Sequence, residues 1–206
     1  YNIMNLCDYI IIPVPGDGNC FFHSIVGFLS YDKKMGHLEK SKKLDTASSL
    51  RKKAVKWLRR NLEIVTPTGL KIKDEIEDYV NTNDDGVDDI EQYLNHMNKN
   101  KTYAGQIELY AISHLLNRNI KTFIKKKQKL NNIGLGFKIK DGEDDDIYLY
   151  HNLGDSGNNK NMYHFDVLYP KKKIQQSMKK TIQRSTKRGT RRSVKRSSRR
   201  SSRRRS

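Results

Sequence analysis

The sequence predicts an α+β domain over residues 1–170, followed by a disordered basic segment over 171–206. Three observations predict this. Apolar residues recur at helical spacing through the middle of the chain, and short β-branched or alternating runs lie at its start and end. The charge is also segregated. Residues 171–206 carry 17 Lys or Arg and no acid, whereas residues 1–170 carry 24 Lys or Arg against 23 acids, so the formal net charge of +18 belongs almost wholly to the tail. The tail has few apolar residues (Ile174, Met178, Ile182, Val194) and cannot bury enough surface to offset the entropy of ordering.

The elements follow in order. "DYIIIPV" (8–14) is short, β-branched and stopped by prolines, which predicts a strand leading into a turn. Cys20 to Ser30 is apolar on nearly every side, as in a helix buried within a core. Leu50, Ala54, Trp57, Leu58 and Leu62 form one stripe of an amphipathic helix whose other face is Lys and Arg, and Trp57 is expected in the core. "DEIEDYV" and "VDDIEQYLNHM" predict shorter helices either side of the break at 81–86. A further helix is expected over 105–119, stopped near Asn117 to Asn119. "IKTFIK", "GLGFKIK", "IYLYHNL" and "YHFDVLYP" are candidate strands between polar breaks.

Several function classes lose support. Cys7 and Cys20 are the two cysteines, with no CxxC and no zinc-type Cys/His spacing, so neither a metal nor a cofactor is expected. Free cysteines suit a reducing, intracellular setting, cytoplasm or nucleus. No apolar stretch reaches the ~20 residues needed to span a bilayer, and the first residues carry no signal-peptide pattern. A monomer is expected.

Chemistry centres on "VPGDGNCFFHSI" (14–25). By residue type Cys20 is a buried hydrophobe, a metal ligand or a nucleophile. As a nucleophile it must ionise, and a helix N-terminus favours the thiolate. The preceding "PGDGN" turn can aim successive backbone N–H groups into one small space, suited to an oxyanion. Of six histidines, His164 has a distinguishing neighbour. In "YHFDVLY" the strand alternation puts His164 and Asp166 on one face, with the carboxylate placed to orient the imidazole. His23, three residues after Cys20, is the rival base. It has no carboxylate at a matching offset, and it and His151 are read as structural.

These residues resemble a known family. "DGNCFFHSI" is similar to the Cys-box of ovarian tumour (OTU) cysteine proteases, which are deubiquitinases. "LRKKAVKWLRRN" resembles the family's Leu-Arg helix. The segment from "YLNHMNKNKTYAGQIELY" to "NRNI" resembles the stretch that usually reads Trp-Gly-Gly-x-x-Glu-Leu, and "HFDVLYP" resembles the closing His-Tyr-Asp box. The resemblance spans about 8–170. It implies a papain-type fold, a central sheet flanked by helices, and cleavage of isopeptide bonds at the C-terminal glycine of ubiquitin or a ubiquitin-like modifier. Cys20 is the implied nucleophile, His164 the base and acid, and Asp166 the orienting residue. Asp17 is implied to shape the loop and is a candidate for a direct contribution. Backbone N–H groups of Asp17, Gly18, Asn19 and Cys20 are the implied oxyanion hole.

Two departures stand out. Tyr103, Ala104 and Gly105 replace Trp-Gly-Gly, which implies altered packing at the substrate channel, and Phe165 replaces a common Tyr at a position expected to point away from the site. Glu108 matches the family's acidic residue and is read as structural. The acidic runs at 84–89 and 143–146 could attract a cationic ubiquitin tail, although such runs are usually solvated. The Ser/Arg-rich tail suits nucleic acid or another polyanion, or nuclear import. The different-class alternative is a nucleic-acid-binding or packaging protein on an inactive scaffold of this family. The Lys, Asn and Ile abundance resembles that of large DNA viruses, which suggests such an origin.

Overall fold

The computed structural model describes residues 3–39, 43–83, 86–137, 146–152, 164–179 and 181–183, with side chains for all of these except 3 and 134–137. Among the described residues one sheet holds six strands: β1 Ile3–Asn5, β2 Tyr9–Ile12, β3 Ile120–Lys126, β4 Lys129–Phe137, β5 Ile147–Asn152 and β6 His164–Pro170. Their lateral order is β1-β4-β3-β5-β6-β2, and only the β3–β5 pairing is parallel. The helices are α1 Cys20–Lys34, α2 Ala47–Arg60, α3 Ile72–Thr82, α4 Ile90–Met97 and α5 Gln106–Leu116. Residues 171–179 add a helix, α6.

α1 is the core helix, as its all-round apolar pattern predicts. Phe21, Phe22, Ile25 and Phe28 are each at most 1% exposed, and burying each contributes about 1.5–3 kcal/mol. The Phe21 ring meets Phe165 of β6 edge-on at 5.6 Å, and Phe28 packs on Tyr169 at 5.1 Å. The Ser24 hydroxyl bridges the Cys20 carbonyl (2.7 Å) and the Phe165 carbonyl (2.8 Å), tying the start of α1 to the start of β6. Gly27 permits the close approach, because a Cβ there would stand 2.8 Å from Val167 Cγ2.

α2 is capped by Thr46, whose side chain accepts from Ser49 N–H at 3.1 Å, and it buries Leu50, Ala54 and Leu58. Trp57 is only half-buried and stacks on His114 of α5 at 5.0 Å. α5 ends where expected, with Asn117 in the left-handed region at φ 49°.

Four expectations change. β1 was not foreseen. β4 begins at Lys129, ahead of the expected 134–140, because Lys127 and Gln128 turn the chain directly out of β3, with Lys127 at φ 56°. The basic segment does not begin as an unstructured tail at 171. Lys173 is buried, with Nζ 3.2 Å from Asp32 Oδ1, and Ile174 packs against the core. Asp32 also accepts from Tyr169 Oη and Arg118, each at 2.9 Å, so α6 is fastened to the far end of α1. The rest of the expected tail, 184–206, lies outside the described residues. Finally, Asp146 is fully buried against Asn119 and Lys121 and cannot attract a cationic partner. Residues 143–145, 84 and 85 of the acidic runs lie outside the described residues. Among the described residues no helix is long and apolar enough to cross a membrane.

Candidate active site

The loop from Pro13 to Asn19 carries the chain from β2 to α1, so it passes over the N-terminal end of β6. Val14 N–H donates to Asp166 Oδ1 at 3.0 Å. The same oxygen lies 2.9 Å from His164 Nε2, which settles the strand-face expectation: the two side chains stand together on β6. With Nε2 turned to the carboxylate, Nδ1 faces the other way, toward the loop, where a Cβ on Gly16 would lie 3.6 Å from it. Phe165 points to the opposite face, packed on Phe21 and stacked on His151 at 4.6 Å.

Cys20 is the first residue of α1 and 2% exposed. Its sulfur is stabilised as an anion by the backbone N–H groups of Phe165 and Phe21, which places it against the residue between His164 and Asp166. Burial nevertheless pushes the thiol up, with the Asp17 and Asp166 charges adding to the rise. The expectation of a lowered thiol pKa is therefore corrected: desolvation outweighs the helix terminus.

Asp17 makes an Asx turn. Its Oδ1 accepts from Asn19 N–H at 3.0 Å, and Oδ2 lies 3.4 Å from His23 Nε2. Partial burial opposes ionisation, but the Asn19 bonds and His23 hold this carboxyl below its usual range. Two expectations are corrected here. His23 has a carboxylate partner after all, and the Asn19 N–H is committed to Asp17, which takes it out of the oxyanion set. Gly18 sits at φ 75°, and a Cβ there would meet the Lys101 carbonyl oxygen at 1.9 Å.

Lys101 belongs to the segment that continues through Tyr103, Ala104 and Gly105. These residues line one side of a groove of about 1310 Å³ whose other side is α3 and α4, and Tyr103 is 59% exposed at its rim. Glu108 is fully buried beneath the groove. It accepts from Gly105 N–H and Tyr93 Oη, both at 2.8 Å, as a structural tie. Burial pushes its carboxyl up. No cluster of metal-ligating side chains occurs among the described residues.

A family model described as OTU-like cysteine protease matches residues 15–157. The chain belongs to that family. The match includes Cys20 and stops before β6, so His164 and Asp166 lie beyond it. A curated OTU relative is the ovarian tumor domain-containing deubiquitinating enzyme 4 of Arabidopsis thaliana, 27% identical over 164 residues. The alignment covers 78% of this chain and 43% of that protein, so the chain spans less than half of the relative's length. The viral OTU domain protease from Dera Ghazi Khan virus is similar in structure, with a TM-score of 0.52 at 20% identity over 82% of this chain and 86% of that one. The Hazara virus OTU bound to ubiquitin gives a TM-score of 0.53 at 16% identity over the same shares. At these identities the likeness is one of OTU fold.

Sequence reasoning missed Arg51. It is fully buried in a helix otherwise lined with exposed Lys and Arg, and its guanidinium binds the Gly18 carbonyl and the Asn19 side chain. Its composition context gave no signal, but its place after Leu50, at the head of the segment that resembles the family's Leu-Arg helix, could have found it.

Proposed function

We propose that this chain is a deubiquitinase, hydrolysing the isopeptide bond between the C-terminal glycine of ubiquitin, or of a ubiquitin-like modifier, and a lysine amine. The carrying observation is the approach of the Cys20 thiol to the N-terminal end of β6, where His164 is held by Asp166. Family membership and the deubiquitinating activity named for the Arabidopsis relative support the substrate class.

The geometry supports the following reaction. His164 Nε2–H donates to Asp166, which leaves the Nδ1 lone pair as the base. The thiol proton passes to Nδ1 as the sulfur attacks the glycyl carbonyl. The carbonyl oxygen becomes an oxyanion facing the Gly16–Cys20 loop and the first turn of α1. The imidazolium then protonates the leaving lysine nitrogen as the C–N bond breaks, giving a thioester and a free amine. Water, deprotonated by Nδ1, attacks the thioester, and the thiol leaves with that proton. Asp17, bound to Asn19 and His23, shapes the loop and takes no proton in this scheme.

The test is capture by ubiquitin carrying a C-terminal propargylamide. The wild-type chain forms a stable adduct at Cys20, and Cys20→Ala forms none. Adduct at Cys7, or none in the wild type, contradicts the assignment.

A further inference from the structure

We propose that Arg51 and Asn19 are positioning residues that hold the oxyanion loop against the substrate groove, and that they act on kcat more than on KM. This rests on the protease reading above.

The geometry is unusual for an arginine. Arg51 is 0% exposed, yet among the described residues no carboxylate pairs with it. Its partners are four oxygens from three segments: Asn19 Oδ1 (3.1 Å from Nε, 3.0 Å from Nη2), Gly18 O (2.9 Å), Met97 O (2.9 Å) and Thr102 O. The guanidinium also lies over the Phe22 ring at 4.5 Å. Burying a charge this way is costly, and the gathered carbonyl dipoles offset the cost only while all of them are in place. Gly18 and Asn19 precede the nucleophile. Met97 and Thr102 line the groove. One side chain therefore couples the two.

Asn19 supports the same reading. It occupies the N-cap of α1, where its side chain would ordinarily bond the first-turn N–H groups, and it makes no such bond. Its Oδ1 instead accepts from Arg51 and from Lys101 N–H at 3.3 Å. The first turn of α1 is thus left uncapped by the Asn19 side chain, which serves the loop instead. The contact also holds strain. Lys101 stands at φ 72°, in the region that favours glycine, directly against Gly18 at φ 75°. Such a residue persists where surrounding bonds over-determine it, and those bonds run to Asn19 and, through Thr102, to Arg51.

Charge adds a second readout. The Arg51 guanidinium and the Cys20 sulfur interact favourably when the sulfur is ionised. Removing the cation moves thiol ionisation to higher pH, whereas Lys keeps the charge and loses the fork that spans four oxygens.

The experiment uses the full chain in a Cys7→Ser background, so that alkylation reports on Cys20 alone. Asn19→Ala, Arg51→Lys and Arg51→Met are compared by turnover of ubiquitin with a C-terminal fluorogenic amide, by the pH profile of iodoacetamide alkylation, and by circular dichroism. Asn19→Ala and Arg51→Lys are expected to lower kcat about 10- to 100-fold, with KM within about threefold, in folded protein. Arg51→Met is expected to shift the alkylation profile upward, and Arg51→Lys to leave it in place. The proposal is overturned by kcat within twofold of wild type, by a rise in KM at unchanged kcat, or by a kcat loss that disappears once the folded fraction is counted. If the wild type turns over no ubiquitin substrate, the protease reading fails, and the alkylation series decides alone: an unshifted Arg51→Met profile then overturns the positioning role.

Discussion

His164 Nε2 lies 2.9 Å from Asp166 Oδ1, and that same oxygen receives the Val14 N–H from the loop opposite. His164 and the loop that faces it are therefore registered to one carboxylate oxygen. An acceptor at Nε2 fixes the tautomer with its lone pair on Nδ1. Asp166→Asn keeps the shape but offers an amide that can donate to Nε2 and so favours the wrong tautomer. The expected result is a fall in kcat of roughly 10²- to 10⁴-fold with a near-native melting temperature, read by steady-state turnover and thermal unfolding.

Burial of the Cys20 thiol makes a stability prediction. A group whose folded pKa is raised contributes stability that is fully present below its unfolded pKa and is lost as pH rises through the folded value. The thiol's ordinary value is 9.0, so the loss begins near pH 9. Wild-type protein is expected to lose melting temperature as the pH rises above about 9, more steeply than Cys20→Ala does. Parallel curves for the two would contradict the assigned direction. Buried tyrosines such as Tyr93 add a fall of the same sign to both, and the difference between the curves cancels it.

Gly18→Ala combines a left-handed backbone with a Cβ 1.9 Å from the Lys101 carbonyl oxygen. The backbone conformation alone costs about 1–2 kcal/mol, and the clash is with main chain, which cannot swing aside. The variant is expected to melt at least several degrees lower and to lose most of its turnover. A control at Gly36, also at positive φ but with open space around it, is expected to lose stability from the backbone term alone and to retain its turnover.

The domain boundary is testable through Lys173 and Asp32. Truncation after residue 170 removes the Lys173 cation and the packed Ile174 and leaves Asp32 with two of its three side-chain partners. Truncation after 183 leaves the cluster whole. The shorter chain is expected to melt several degrees lower, with the longer truncation within about a degree of full length. Asp32→Ala is the harsher change. It leaves Arg118 and Lys173 without their shared carboxylate and is expected to cost about 3–5 kcal/mol by denaturant unfolding.

Much of the site was legible because its signals are local. The Asp17-Gly18-Asn19-Cys20 turn, the apolar run behind it and the period-2 placement of His164 and Asp166 can each be read within a few residues. What escaped was set by distant parts of the chain. Arg51 sits among exposed cations, and only the return of the 97–102 segment buries it. Lys173 looks like part of a basic run until Asp32, far back in the chain, is brought beneath it. Asp146 ends an acidic run in sequence but stands immediately before β5, buried against Asn119 and Lys121. The thiol's ionisation was misjudged for the same reason, since a helix terminus is visible in sequence and the depth of burial around it is not.

The most direct test of the central claim is the rate at which ubiquitin propargylamide captures Cys20 as His164 is changed. The account predicts capture at Cys20 in the wild type, a loss of at least about 10²-fold in His164→Ala, and near-wild-type capture in His23→Ala. Capture that survives His164→Ala and disappears in His23→Ala would show that the base is the neighbour on α1, and would contradict the account.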